Sequence, residues 1–591
     1  MLISNIFKNA NRNQKKKKES KKLKNNFYFF FNFHNFLLSP FITSSSLSKN
    51  MSQSSNIIIL SQSQQQLQSQ QQQSLQSQSQ SQSQLQPQLP KTIQLRPNQL
   101  AHYERVCSIV KREFAYLDTS PYGAGKTYVA MKLAWAYNLA ILVFAPLILV
   151  QMWLDIGKEY GIRIIDALSY RKLGGTEKSG CNHPYLYRYG DDYYPTPYFT
   201  QLVNSGILLV FDEVQNLKTE DTNQAVAAHA MVKEVVRLNS GSRVGLLSRT
   251  PIDKNTHVES LVKNLGIVTS DNLYNYDRSR KFYELTGMKE LYAKCDSLDY
   301  HKSQSIHSGV KITRKNVTDI VYELYTQVLK PFMSSAMPKL DNKDVSQDIK
   351  NGYYVMTPED LEEVKAGQAL LESIVHYNPI NGTVTLPKNN WSDIVNALTN
   401  LEKAKCRNLI PRLVREWLGA SPNNKGIIFL WRVETILYLR EVLREFNPMI
   451  IYGDTCLRDK NDIVAKFQRP TNEFRLLIAN ALIGCVGLSL DDQDGRFPRT
   501  TWIVPSYNFI HLSQAPGRTY RELTKSDSIY RVIFCKDFIS ERQIVDVLAR
   551  KSGVVRDVIY DDSDIILPDD YEDYIEGVGV VPRANRLQLL N

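Results

Sequence analysis

The chain has 591 residues, of which 43% are hydrophobic and 22% charged, and a formal net charge of +12. That length and apolar share support two or three domains with sizeable cores, plus tails. Seven cysteines scattered without a C-x-x-C pair exclude a disulfide framework and fit reduced thiols in an intracellular compartment. The positive charge suits a polyanion partner, although a basic surface kept for solubility would read the same way.

The charge is uneven. Residues 1–50 carry ten Lys and Arg against Glu19, followed by the apolar run Phe27–Leu38. Asn and His interrupt that run, and it is too short to span a membrane. It resembles a signal peptide only loosely, because the basic lead is long and no small-residue cleavage site follows. Met51 is the expected functional start, with a cytosolic anchor as the other reading. The Ser/Gln tract from Ser61 to Leu89 is too polar to bury a core and is expected to be a disordered spacer.

The informative region begins at Phe114–Leu117, a strand-like run. It leads into Ser120-Pro121-Tyr122-Gly123-Ala124-Gly125-Lys126-Thr127 and then a helix-like run from Tyr128 to Tyr137. Glycines in such a loop let backbone N–H groups approach a triphosphate at a helix N-terminus. Lys126 would reach the β- and γ-phosphates and Thr127 would hold Mg²⁺. Cys181 and His183 lack the second pair a metal site needs and read as plain loop. The tyrosine-rich segment Tyr185–Phe199 predicts either a hairpin packed on its own domain or a platform stacking on unpaired bases. Leu208–Phe211 is an apolar strand ending in Asp212 and Glu213. The first acid is placed to help hold Mg²⁺ and the second to orient or deprotonate an attacking water.

Further strands are expected at Ala140–Ala145, Gly206–Phe211 and Arg243–Leu247, then at Gly426–Leu430, Met449–Tyr452, Arg475–Ala479, Thr501–Val504 and Tyr530–Cys535. Short buried strands alternating with helices predict parallel sheets covered on both faces. The stretch from Asp253 to Ser421 between the two clusters reads as mainly helical, as in Pro358–Val375 and Trp391–Leu418. From Asp557 onward nine acids face only Arg583 and Arg586, which predicts a solvated tail.

The order of Gly123–Thr127, Asp212-Glu213-Val214-Gln215 and Ser248-Arg249-Thr250-Pro251 resembles that of superfamily-2 helicases and translocases. Leu95-Arg96-Pro97-Asn98-Gln99 lies where that family keeps an adenine-reading glutamine. Ala145–Trp153 is similar to its motif Ia, particularly in Swi/Snf-type members. Gly426–Phe429 resembles motif IV and Asn480–Leu490 motif V. Gln514–Arg521 fits the Q-x-x-G-R-x-x-R of motif VI. The match runs from about Leu95 to Phe538, without most of the central stretch, and helicase-like proteins of large cytoplasmic DNA viruses look nearest. Three positions depart from the family pattern. Ser120 replaces a Gly or Ala, Gln215 a His or Asp, and Asn480 a Ser or Thr.

The resemblance implies an α/β fold of two RecA-like parallel-sheet domains in tandem with a mainly helical insert. The expected division is a tail at 1–90, a first RecA-like domain at 91–260, the insert at 261–420, a second RecA-like domain at 421–556 and the acidic tail at 557–591. ATP would lie between the two domains. Gln99, Ser120, Gly123, Ala124, Gly125, Lys126, Thr127 and Gln514 would bind it, with Mg²⁺ on Thr127 and Asp212. Lys126, Asp212, Glu213, Arg518 and Arg521 would carry catalysis, and Ser248 and Thr250 would couple hydrolysis to movement. The implied activity is ATP-driven unwinding of, or translocation on, DNA or RNA, held mainly at its phosphates. Three alternatives remain open: a duplex translocase without strand separation, a catalytically inactive nucleic-acid-binding scaffold, and an ATP-driven switch that never translocates. No membrane is implied. The expected location is the cytoplasm, or a virus particle or factory if the viral likeness holds.

Overall fold

The computed structural model describes residues 91–581 except 176–179, 278–281, 339–343, 375, 379–382, 386–390, 537–538 and 561–565. The basic leader, its aromatic run, the Ser/Gln tract and Asp561, Asp562 and Asp564 lie outside the described residues.

Helix α1 (Pro97–Val110) starts with Pro97 in its first turn, and the Arg96 N–H donates to Gln99 Oε1 at 3.1 Å. Strand β1 (Ala115–Asp118) follows, then the glycine loop and α2 (Lys126–Ala136). Next come β2 (Ala140–Ala145) and β3 (Ile164–Ser169). The segment Tyr185–Phe199 contains the antiparallel hairpin of β4 (Leu186–Tyr189) and β5 (Asp192–Pro195), the first of its two expected forms. Tyr185, Leu186 and Tyr193 anchor it in the core, while Tyr187 and Tyr189 are exposed. Then follow β6 (Ile207–Asp212), β7 (Arg243–Leu247), a short hairpin of β8 (Asn275–Asp277) and β9 (Phe282–Glu284), and β10 (Ser334–Ser335).

The first sheet has the order β10-β1-β7-β6-β2-β3 and is parallel throughout. β1, β2 and β6 are buried along their whole length, which is why they read as unbroken apolar runs. Because the strands are parallel, whatever follows each one gathers at a single edge, where open α/β sheets bind ligands. That edge receives the glycine loop after β1, Pro146 after β2, Glu213 after β6 and Ser248–Thr250 after β7.

The second sheet takes β11 (Gln347–Tyr354) and, after a small hairpin of β12 (His376–Asn378) and β13 (Thr383–Thr385) and helix α3 (Trp391–Arg407), the strands β14 (Lys425–Leu430), β15 (Met449–Ile451), β16 (Leu476–Asn480), β17 (Arg499–Ile503) and β18 (Ser528–Cys535). Helix α4 (Ile539–Val558), β19 (Glu572–Ile575) and β20 (Gly579–Val581) complete it. The order is β15-β16-β14-β17-β18-β11-β19-β20, and only the β19–β20 pair is antiparallel.

The central stretch divides between the two sheets. Leu261, Met288 and Val321 pack into the core of the first sheet, and β10 pairs with β1. β11 pairs with β18, and Ala397, Leu401, Ile410 and Val414 pack with Ile428, Ile478 and Trp502 of the second. β10 has two residues, and β11 interleaves polar with apolar ones, so neither carries a strand's sequence signature.

The acidic C-terminal run departs from the expected solvated tail. Tyr571 and Ile575 are buried, and β19 pairs with β11. The acids find partners: Arg556 bonds Asp569 at 3.1 Å and also Asp570, and Asn351 Nδ2 donates to Asp573 Oδ1 at 3.3 Å. Apolar side chains interleaved among the carboxylates draw the segment inward. At the end of α4, Val558 enters the first sheet's core and Ile559 the second's, and the Tyr560 N–H donates to Thr119 Oγ1 at 3.1 Å. Truncating the buried ring in Tyr571→Ala is expected to cost about 3–5 kcal/mol in chemical denaturation. An unchanged midpoint would place this segment outside the folded core.

Candidate active site between the two sheets

The glycine loop turns tightly out of β1. Gly123 and Gly125 have φ of 75° and 93°, and a Cβ at Gly125 would collide with Gln99 Nε2. Gln99 Nε2 donates to Ala124 O at 2.9 Å, so the glutamine of α1 buttresses the loop. Lys126 Nζ donates to Ser120 O at 3.0 Å and Pro121 O at 3.2 Å, folding the lysine back over its own loop. The Ser120 hydroxyl faces away and accepts from the Met337 N–H at 2.9 Å. Thr127 is half-buried in the first turn of α2.

Behind the loop, Asp118 accepts from the Ser120 N–H at 2.9 Å and pairs with His102 Nε2 at 2.9 Å. His102 Nδ1 lies 2.8 Å from Ser335 Oγ. Burial opposes ionisation of Asp118, but His102 and Lys126 outweigh it and hold the carboxyl below its ordinary value. This buried group ties α1, β1 and β10 to the root of the loop. Nothing in the sequence marks it.

Asp212 ends β6. Trp153 Nε1 donates to its Oδ2 at 2.9 Å, and the Tyr170 hydroxyl donates to its backbone oxygen at 2.8 Å. Burial, then the adjacent Glu213, push the Asp212 carboxyl above its ordinary value. Burial pushes Lys126 down against the attraction of Asp118, Glu213 and Asp212. Glu213 has φ +56° and ψ +56°, a left-handed conformation that is strained for a non-glycine residue. The Asn216 N–H and Nδ2 hold its carbonyl at 3.1 and 2.8 Å.

Two glutamines meet on Glu213. Gln215 Nε2 donates to Oε2 at 2.8 Å, and Gln514 Nε2, from the second sheet's side, donates to the same oxygen at 3.2 Å. The departure at Gln215 therefore has a use. Its Oε1 accepts from Ser248 Oγ at 2.6 Å, joining Glu213 to the segment after β7. Asn480, the departure in the motif V segment, caps the turn after β16 through the Leu482 N–H at 3.1 Å and donates to Trp431 O at 3.0 Å.

Arg518 and Arg521 spend their hydrogen bonds on carbonyls. Arg518 reaches Gln514 O and Leu488 O at 3.3 and 3.5 Å, and Arg521 reaches Gly517 O and Leu488 O at 3.1 and 2.8 Å. Burial, then Arg518, lower Arg521 to about 10. Its Cγ would lie 3.4 Å from a Cβ on Gly123, so this guanidinium side chain rests against the glycine loop. A cavity of about 350 Å³ opens between them, lined by Gln99, Gly123, Gly125, Tyr128, Asp491 and Arg521. Loop glycines with positive φ beside one buried and one half-buried guanidinium fit a polyphosphate, whose charge would offset the cost of desolvating those cations. Among the described residues no three His, Cys, Asp or Glu cluster as a metal site.

No family model matches the chain. Among curated proteins, "Putative ATP-dependent RNA helicase L364" of Acanthamoeba polyphaga mimivirus is 23% identical over 474 residues, covering 78% of this chain and 82% of that protein. The chain is thus similar, over most of the length of both, to a giant-virus protein named as an ATP-dependent RNA helicase. Among solved structures, the Sulfolobus solfataricus SWI2/SNF2 ATPase core in complex with dsDNA is 16% identical, with a TM-score of 0.27. That match covers 79% of this chain and 97% of the other. The Sulfolobus solfataricus SWI2/SNF2 ATPase core domain is 18% identical at the same score, over 81% and 93%.

The raised Asp212 carboxyl has a testable sign. At pH 8 the acid is ionised in both folded and unfolded chains, and the folded state carries the cost of burying that charge. Asp212→Asn can still accept from Trp153 and removes the cost. Its thermal midpoint should exceed wild type at pH 8, and the gain should shrink as pH falls toward the ordinary carboxylate range, where the folded acid is protonated. A gain that grows on acidification would contradict the assignment.

Proposed function

We propose that this protein is an ATP-dependent nucleic-acid helicase or translocase whose ATP site is completed only when both sheets contribute. The observation that carries this reading is Glu213, held by Gln215 of its own sheet and by Gln514 from across the cleft. The mimivirus relative, named as an RNA helicase, supports the class of activity.

On this reading ATP and Mg²⁺, when bound, supply a scissile phosphoanhydride with its charge partly neutralised. Gln99 and the loop backbone orient the nucleotide. Lys126 leaves Ser120 O and Pro121 O for the phosphates, and Thr127 and Asp212 hold Mg²⁺. Glu213, already fixed by two amide donors, orients the attacking water and accepts its proton. Arg518 and Arg521 neutralise charge developing on the transferred group. Because those arginines come from the second sheet, hydrolysis follows closure of the cleft, and repeated closure against a phosphate backbone moves the chain along its track. Among the described residues no helix is long and apolar enough to cross a membrane.

The test is ATPase rate alone and with single-stranded DNA, duplex DNA or RNA, beside Lys126→Ala. Stimulation by one polymer is expected, with the mutant at least roughly a hundredfold slower. A wild-type rate equal to the mutant's with every polymer would leave only a scaffold. Strong hydrolysis indifferent to every polymer would favour an ATP-driven switch.

A further inference from the structure

Tyr122 lies inside the glycine loop, where no phosphate-binding role requires an aromatic residue. Its hydroxyl is 3.1 Å from Thr250 Oγ1. The Thr250 N–H donates to Ser248 Oγ at 3.1 Å, Ser248 Oγ donates to Gln215 Oε1 at 2.6 Å, and Gln215 Nε2 donates to Glu213 Oε2 at 2.8 Å. Gln514 joins the same carboxylate from the other side of the cleft. A series of hydrogen bonds, joined within Thr250 by its own covalent skeleton from Oγ1 to the backbone N–H, thus runs from the loop, through the segment after β7, to the carboxylate and across to the helix that leads into Arg518.

The ring closes the circuit. The Arg518 guanidinium lies 5.9 Å and Lys126 Nζ 5.8 Å from its centroid. Gly517 packs so tightly on it that a Cβ there would sit 2.8 Å from Tyr122 Cβ. Tyr122 therefore touches loop, Thr250 and motif VI segment at once. Burial, then the nearby Glu213, push the phenol up to about 12, so the hydroxyl keeps its proton across the physiological range.

We propose that Tyr122 is a positioning residue that couples the set of the glycine loop to hydrolysis, transmitting it through Thr250 to the water-orienting carboxylate Glu213. The proposal rests on the translocase reading above and adds to it a residue within the glycine loop to which the family resemblance gives no role. When Lys126 leaves its loop carbonyls, the loop and Tyr122 shift together. The hydroxyl then pulls on Thr250, and Gln215 re-aims Glu213.

The experiment is a double-mutant cycle in the full chain, with Tyr122→Phe, Thr250→Val and the pair, reading KM for ATP, kcat with and without nucleic acid, and thermal midpoint. Tyr122→Phe keeps the ring against Arg518 and Gly517 and removes only the hydroxyl. The expected result is a KM within about twofold of wild type and a stimulated kcat down about tenfold, the effect of one hydrogen bond on a barrier. Thr250→Val should match it, the double variant should be no worse than either single, and Thr250→Ser should restore the rate. A Tyr122→Phe chain stimulated like wild type, or losses that multiply in the double variant, would overturn the proposal. A loss that tracks the thermal midpoint rather than the hydroxyl would do the same. If wild type itself is not stimulated, the translocase reading fails and takes this coupling with it.

Discussion

Two adjacent carboxylates, Asp212 and Glu213, are buried at the end of one apolar strand, and the surrounding structure answers that constraint. A buried carboxylate needs donors or a cation, because desolvation otherwise neutralises it. Trp153 supplies a donor to Asp212, and the two glutamines supply donors to Glu213. Lys126, which the acids attract, is drawn back to its own loop carbonyls, and burial lowers its affinity for a proton. Among the described contacts the acids and the cations attract one another without meeting in a hydrogen bond: Lys126 bonds loop carbonyls, and Arg518 and Arg521 bond carbonyls of the second sheet's side. A magnesium-bound triphosphate has the charge pattern that satisfies both.

The two halves of the site are held together by more than the cleft itself. Arg96, beside Gln99, pairs with Glu522, beside Arg521. Helix α4 ends with Val558 in one core and Ile559 in the other. The chain then touches Thr119 next to the glycine loop and returns to the second sheet as β19. The spacing of the two sheets is thus set at both ends of the cleft, by an ion pair at its mouth and by packed apolar side chains at its back.

The glycine loop, the Asp212–Glu213 pair and the strands leading to them were legible because each writes a local pattern: positive-φ glycines, or an apolar run ending in acids. β2, β6, β7, β14 and β16–β18 were legible for the same reason, being wholly or largely buried strands of parallel sheets, and half-buried β15 was legible as a short apolar run. β3, β10, β11 and β19 were not. They are half-exposed, very short or polar, and what makes them strands is a neighbour distant in sequence. The acidic C-terminus misled because charge count ignores which side chains sit between the charges, and Tyr571 and Ile575 decide that segment. The supports of the site were hidden for a further reason. Trp153 lies 59 residues from Asp212, and His102 lies 233 from Ser335. Such contacts exist only once the sheets have formed. The Gln215 departure looked like a weakening of the motif and became intelligible only when its amide was seen to bridge Glu213 and Ser248.

The central claim is a division of labour: the first sheet binds the nucleotide and the second completes its chemistry. The most direct measurement is the Arg521→Ala full chain, with ATP affinity and single-turnover hydrolysis followed in the same preparation. The account predicts affinity within roughly tenfold of wild type and hydrolysis slower by about a thousandfold or more, the range seen when a transition-state arginine is removed. Hydrolysis that falls no further than affinity would place the arginine in binding alone and contradict the account.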